Sequence, residues 1–199
     1  MLQDWETRCN QLLIFWINEA LLRTPATVLR IGALYRPPPS TENGLTATMF
    51  FNEFPILLER LAVASGHLLL TGDFNFHVDD RTDSLDSRFL DLLDSHNLIQ
   101  HVSGPSHQGN YTLDLMITWA CEDIIESWST LNPHLSDHSA IHSKVSLARL
   151  RPPKVRKKNN IGKFVVLIQL NLATMSWLPH FSPHLHAMWM IYVINMIVN

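Results

Sequence analysis

His67-Leu68-Leu69-Leu70-Thr71-Gly72-Asp73-Phe74-Asn75-Phe76-His77 sets an apolar run directly against polar residues. From His67 to Thr71 there is no polar alternation, the pattern of a strand buried on both faces. Such strands belong to layered α/β domains, in which helices or a second sheet cover each face. Gly72 permits a tight turn where the run stops. Asp73 and Asn75 stand two residues apart, so along an extended chain they point to one side. A carboxylate and an amide at a strand end make an oxygen-rich corner. It suits a hard cation such as Mg²⁺, or the positioning of a water and a phosphate oxygen. Gly, Asp and Asn are also turn formers, so a plain turn accounts for the same residues.

Working outward, Val28–Tyr35 reads as a strand stopped by Pro37-Pro38-Pro39. Phe50, Phe54, Leu57, Leu58 and Leu61 recur at helical spacing and are closed by Gly66. Pro55 fits that helix only if it begins near Asn52, which leaves the proline in the first turn. Leu85, Phe89, Leu92 and Leu93 form a second amphipathic helix, with Ser84 or Asp86 as the cap. Thr112–Ile117 and Ala140–Val145 are further strands. Strands alternating with helices predict an α/β layered domain.

Composition bounds the rest. The 199 residues are 46% hydrophobic and 17% charged, with a formal net charge of -3. That excludes wholesale disorder and a uniformly basic nucleic-acid coat. The total hides an asymmetry. Six of the fifteen Lys+Arg lie between Arg149 and Lys158, and seven of the eighteen acids are Asp residues from Asp73 to Asp94. Composition divides the chain into a segment 1–27, an α/β region 28–148, a basic proline-containing linker 149–158 and an apolar tail 159–199. Cys9 and Cys121 make no disulfide framework and no C-x-x-C, so free thiols are expected. The N-terminal residues carry no basic segment leading into an apolar run, which predicts a protein that is not secreted. Ala187–Val198 is shorter than the roughly 20 residues that span a bilayer, so no stable membrane association is expected.

Three further places can carry chemistry. Leu135-Ser136-Asp137-His138-Ser139 puts an acid beside an imidazole at the start of an apolar segment. Asp137 could bind metal or act as a base, and His138 could donate to a phosphate oxygen or protonate a leaving group. A cap with a surface histidine explains the same residues. Asp114 interrupts Leu113-Asp114-Leu115-Met116-Ile117. A carboxylate facing a packed layer needs a partner, and an imidazole that it orients is the economical one. An outward-facing acid on an edge strand is the alternative. Tyr35 closes its strand before Arg36-Pro37, where a phenol could bond a phosphate or simply pack. Phe74 and Phe76 are expected in the core or at its margin.

In chain order, Tyr35-Arg36-Pro37, Gly72-Asp73-Phe74-Asn75, Thr112-Leu113-Asp114-Leu115 and Ser136-Asp137-His138 resemble the endonuclease/exonuclease/phosphatase superfamily. Within it, the pattern looks like the apurinic/apyrimidinic-like endonuclease of LINE-type non-LTR retrotransposons. The resemblance covers about residues 28–148, the C-terminal half of the family's domain. It implies a partial two-sheet β-sandwich flanked by helices, an α/β fold lacking most of its N-terminal half. It also implies hydrolysis of phosphodiesters with Mg²⁺ or Mn²⁺, on DNA nicked in one strand. Asp73 would activate or position water, with Asn75 on the phosphate side. Asp137 would belong to the metal cluster, His138 would contact the scissile phosphate, Asp114 would orient His138, and Tyr35 would sit at the phosphate. The family's principal metal-binding Glu has no match here. Glu6-Thr7 is similar in type but lies too close to Tyr35. The resemblance therefore implies an impaired fragment, nuclear or cytoplasmic. The alternative is a non-catalytic retroelement remnant, or a weak nucleic-acid binder acting through Arg149–Lys158.

Overall fold

The computed structural model describes residues 5–11, 15–24, 27–79, 82–131, 137–147, 164–173 and 189–198. Of these, 5–11, 16, 164–173 and 189–198 are described by their backbone alone. The chain order is β1 (Trp5–Gln11), β2 (Trp16–Arg23), β3 (Val28–Tyr35), α1 (Ala47–Ala62), β4 (His67–Asp73), α2 (Ser84–Ser95), β5 (Leu98–Gln100), β6 (Asp114–Trp119), β7 (Ile125–Leu131), β8 (Ala140–Val145), β9 (Phe164–Ala173) and β10 (Trp189–Val198). One sheet has the order β1-β2-β3-β4-β6-β5, the other β10-β9-β8-β7. β3 and β4 are parallel and joined through α1, while the neighbouring pairs are antiparallel.

The fold is α/β, with helices on one face of the larger sheet and the second sheet on the other. β4 shows why its sequence lacks alternation. Leu68 and Leu70 enter a cluster with Phe50, Phe54, Phe89 and Leu93 of the two helices. Leu69 points the other way, into a cluster with Ile141 and Val145 of β8. Both faces exclude water, so both alternating sets are apolar. Burying each of these large side chains contributes on the order of 2 kcal/mol relative to leaving it exposed.

Residues 5–11 and 16–23, set apart by composition, continue the larger sheet: β2 pairs with β3 along its whole length. β9 and β10, in the apolar tail, extend the second sheet from β8. No helix among the described residues is long and apolar enough to cross a membrane. Cys121 is a free, exposed thiol, and the Cys9 side chain lies outside the described residues.

Three local expectations are corrected. Helix α1 starts at Ala47, capped by the Thr46 side chain accepting from Met49 N–H, so Pro55 is interior rather than in the first turn. The interior proline costs about 3 kcal/mol, offset by six buried apolar side chains of the same helix, Phe50 to Leu61. The cap of α2 is Asp83, whose carboxylate accepts from Leu85 and Asp86 N–H, and Asp86 is buried instead. β4 does not end at Thr71. It runs on to Asp73, with Gly72 inside it at φ 138° and Asn75 just beyond it in the left-handed region at φ 51°. Gly66 closes the α1–β4 connection as expected, at φ 101°, where a Cβ would come within 2.4 Å of the Val28 carbonyl oxygen.

Candidate active site at the carboxyl end of β4

Strand register builds the centre of the site. Tyr35 ends β3 beside Asp73 at the end of β4, and Asp73 pairs with Asp114 at the start of β6. Asp73 and Asp114 are 4% and 2% exposed, so two carboxylates face one another in a water-poor setting. Burial first, and then the charge of Asp114, push the Asp73 pKa up to about 7. Burial and the charge of Asp73 likewise raise the Tyr35 phenol.

Asp73 and Asn75 are close for a reason other than strand alternation. The Asn75 backbone N–H donates to Asp73 Oδ1 (3.0 Å), and Asn75 Nδ2 donates to Asp73 Oδ2 (2.9 Å) and to the Arg36 carbonyl (2.8 Å). Both amide hydrogens are engaged, so Asn75 offers its Oδ1, an acceptor, to a visitor. Arg36 locks this turn. Its Nη1 donates to the Phe74 and Asn75 carbonyls (3.0 and 2.9 Å), and its Cζ lies 4.0 Å from the centroid of the Phe76 ring. Burial lowers its pKa to about 10, against the charges of Asp73 and Asp86. Phe74 and Phe76 are both fully packed, and Phe76 stacks on Phe89 with centroids 4.4 Å apart.

The second half of the site comes from the segment preceding β8. His138 Nδ1 donates to Asp114 Oδ2 at 2.7 Å, leaving Nε2 as the ring's other nitrogen. Burial opposes the imidazolium, but the hydrogen bond and charge of Asp114, with the charges of Asp73 and Asp137, outweigh it and raise its pKa. Asp137 is more open. Slight burial works against its charge, but the hydrogen bond from His107 and the nearby His138 and His107 hold its pKa below the usual value. The structure therefore brings Tyr35, Asp73, Asn75, Asp114, Asp137 and His138 to one end of the two sheets.

Sequence reasoning passed over two contributors. His107 lies in the connection between β5 and β6, forms an isolated bridge with His138, and its Nε2 donates to Asp137 Oδ2 at 3.2 Å. Arg36 acts through backbone carbonyls 38 and 39 residues away. Its position beside Tyr35 was the available signal; for His107 it was the stretch Ser106-His107 ahead of Thr112.

Comparison with known families decides the lineage. Residues 29–142, more than half of the chain, match a family described as endonuclease-reverse transcriptase. The chain belongs to that family. All six candidate residues fall inside the matched span. Among solved structures, an endonuclease/exonuclease/phosphatase family protein from Leptotrichia buccalis C-1013-b is similar, with 13% sequence identity and a TM-score of 0.48. The similarity covers 73% of this chain and 61% of that protein. No curated protein matches in sequence.

Members of the endonuclease-reverse transcriptase family are generally dependent on divalent metal, and the donor set here fits a divalent ion. Asp73 and Asp114 are buried oxygen donors, and the Asp73 pKa is raised by burial first and then by the repulsion between the two carboxylates. A divalent cation relieves that repulsion. His107, Asp137 and His138 place one donor atom each within 4.8 Å of one another. Glu6 is remote by register. Through Leu21 and Arg30 it lines up with Leu68, five residues before Asp73. That is about 17 Å along the strand direction.

Proposed function

We propose that this endonuclease-reverse transcriptase family chain is a DNA-nicking endonuclease of a LINE-type retrotransposon, hydrolysing one phosphodiester with Mg²⁺ or Mn²⁺. The observation that carries the reading is the Asp114–His138 dyad set beside Asp73 and Asn75 at one strand end. Asp137, with Asp73 and Asp114 nearby, would hold the metal ion, which supplies Lewis-acid stabilisation of phosphoryl charge. The chain's own residues supply the rest. Asp73 would accept a proton from the attacking water. Asn75 Oδ1 orients that water by accepting its second hydrogen. His138 Nε2 would meet the scissile phosphate and give its proton to the leaving oxygen as the phosphorus–oxygen bond breaks, while Asp114 would fix the ring's orientation. Tyr35 stands at the strand end beside Asp73, within the same polar mouth.

A second reading is favoured by the position of Glu6. Among the described residues β1 brings no glutamate to the site end, and on this reading the chain would be a weak enzyme or a non-catalytic nucleic-acid binder. The basic run Arg149–Lys158 would then give weak, salt-sensitive phosphate binding. A nuclear or cytoplasmic location accompanies either reading.

The test is incubation of purified chain with supercoiled plasmid, a single-stranded RNA and a phosphate monoester, each with Mg²⁺, Mn²⁺ or chelator. The endonuclease reading predicts metal-dependent conversion of supercoiled to open-circular DNA only. RNA or monoester turnover reassigns the substrate. Salt-sensitive binding without turnover selects the second reading.

A further inference from the structure

We propose that His107 is a positioning residue that aims the Asp137 carboxylate, and that its ring is not itself a metal ligand. The proposal deepens the phosphodiesterase reading and rests on it for its bearing on catalysis.

The ring's hydrogen bonds decide its role. The Gly109 backbone N–H donates to His107 Nδ1 at 2.9 Å. A backbone amide can only donate, so Nδ1 accepts and the proton of the neutral ring sits on Nε2. That is the nitrogen 3.2 Å from Asp137 Oδ2. Metal ligation through Nε2 would move the proton to Nδ1, where it would confront the Gly109 N–H. The three donor atoms of His107, Asp137 and His138 are close enough for one ion, but the proton bookkeeping makes His107 the donor to a ligand instead.

Asp137 needs such a donor. Its side chain is 57% exposed, so packing does not choose its rotamer. The bond from His107 does, together with one from the residue's own backbone, in the way that neighbouring groups orient metal-binding side chains generally. The connection that carries His107 is itself held firmly. Gln108 N–H donates to the Asp137 carbonyl (2.8 Å) and Ser139 N–H to the Ser106 carbonyl (2.7 Å), on either side of the His107–His138 bridge. The buried Ser106 Oγ accepts from the Leu113 and Asp114 N–H groups (3.0 and 2.9 Å). One short turn thus fixes both Asp137, through an imidazole, and the backbone of Asp114, which holds His138. Gly109 leaves room for the ring: a Cβ there would stand 2.9 Å from Nδ1.

The first arm of the test is ¹⁵N-histidine NMR of the full chain, with and without Mg²⁺. The expected result is His107 with its proton on Nε2 in both states. A proton on Nδ1, or loss of the Nε2 proton on adding Mg²⁺, overturns the proposal. The second arm is Mn²⁺ binding by calorimetry for His107→Ala, His107→Gln and Gly109→Ala. The Ala variant and Gly109→Ala should bind about 10-fold more weakly. His107→Gln, whose amide nitrogen reaches the place of Nε2, should recover most of the loss, with thermal midpoints unchanged throughout. Equal loss in Gln and Ala, or no loss in Ala, contradicts it. If the wild type nicks nothing while both arms behave as expected, the phosphodiesterase reading fails and the positioning role stands.

Discussion

The corner around Asp73 and the rim around Asp137 each present a carboxylate, held by contrasting means. Asp73 is buried, fixed by strand register, and surrounded by groups within a few residues or on the adjacent strand. Asp137 is exposed and fixed by a ring 30 residues earlier in the chain. The corner stores electrostatic strain, visible in a pKa near 7. The rim stores none, because solvent screens its charge and imidazoles face it. Such a division suits the proposed phosphodiester chemistry: the strained carboxylate would move a proton beside an ion that the relaxed one helps to hold.

Removing the ring that joins the two halves should have the largest effect. His138→Ala is expected to slow nicking by about 10²–10⁴-fold, the usual range for a general acid or base, with the circular dichroism spectrum retained. Retained activity would detach the rim from the chemistry. Breaking the corner mechanically comes next. Arg36→Met removes the donors to two carbonyls, each costing about 1–3 kcal/mol when left unpaired in the interior. Urea unfolding should show a loss of about 3 kcal/mol, and an unchanged midpoint would mean that the turn holds without the guanidinium.

The charge of the corner makes a gentler prediction. The folded-state pKa of Asp73 is raised to about 7 from an unfolded value near 3.9. Its contribution to stability is therefore complete below about pH 4 and is lost as pH rises through about 7. Without divalent ion, the thermal midpoint should fall between about pH 5 and pH 8. Mg²⁺ should raise it more at the upper pH, by about 2–4 °C for each kcal/mol relieved. A Mg²⁺ effect independent of pH would contradict a shared site at Asp73. The finest probe is Asp114→Asn, followed by NMR titration of His138. Its raised pKa should fall when the carboxylate is lost. An unmoved titration would mean that Asp73 and Asp137 alone sustain the imidazolium.

What was legible in the sequence follows the same division. The corner could be read locally, since an unbroken apolar run marks β4 and Asp73 sits at its end. Asp114 within an apolar strand announced a buried acid in need of a partner, and His138 is that partner. The amphipathic residues Phe50 to Leu61 marked α1, although Thr46 capping overrode the proline signal. Other elements left no such trace. β7 is exposed along most of Ile125–Leu131, so it carries no alternating pattern. β2 became visible only through its pairing with β3. His107 and Arg36 act across long sequence separations, one through a side chain and the other through carbonyls. Nothing about either residue's immediate neighbours states that role.

The most direct measurement is the Mg²⁺-dependent rate of plasmid nicking for wild type, Asp73→Ala, His138→Ala and the double variant. If corner and rim form one catalytic unit, wild type nicks, each single change removes nearly all activity, and the double variant is no slower than the slower single. Losses that multiply, or a wild-type rate no higher than that of the variants, would contradict the account.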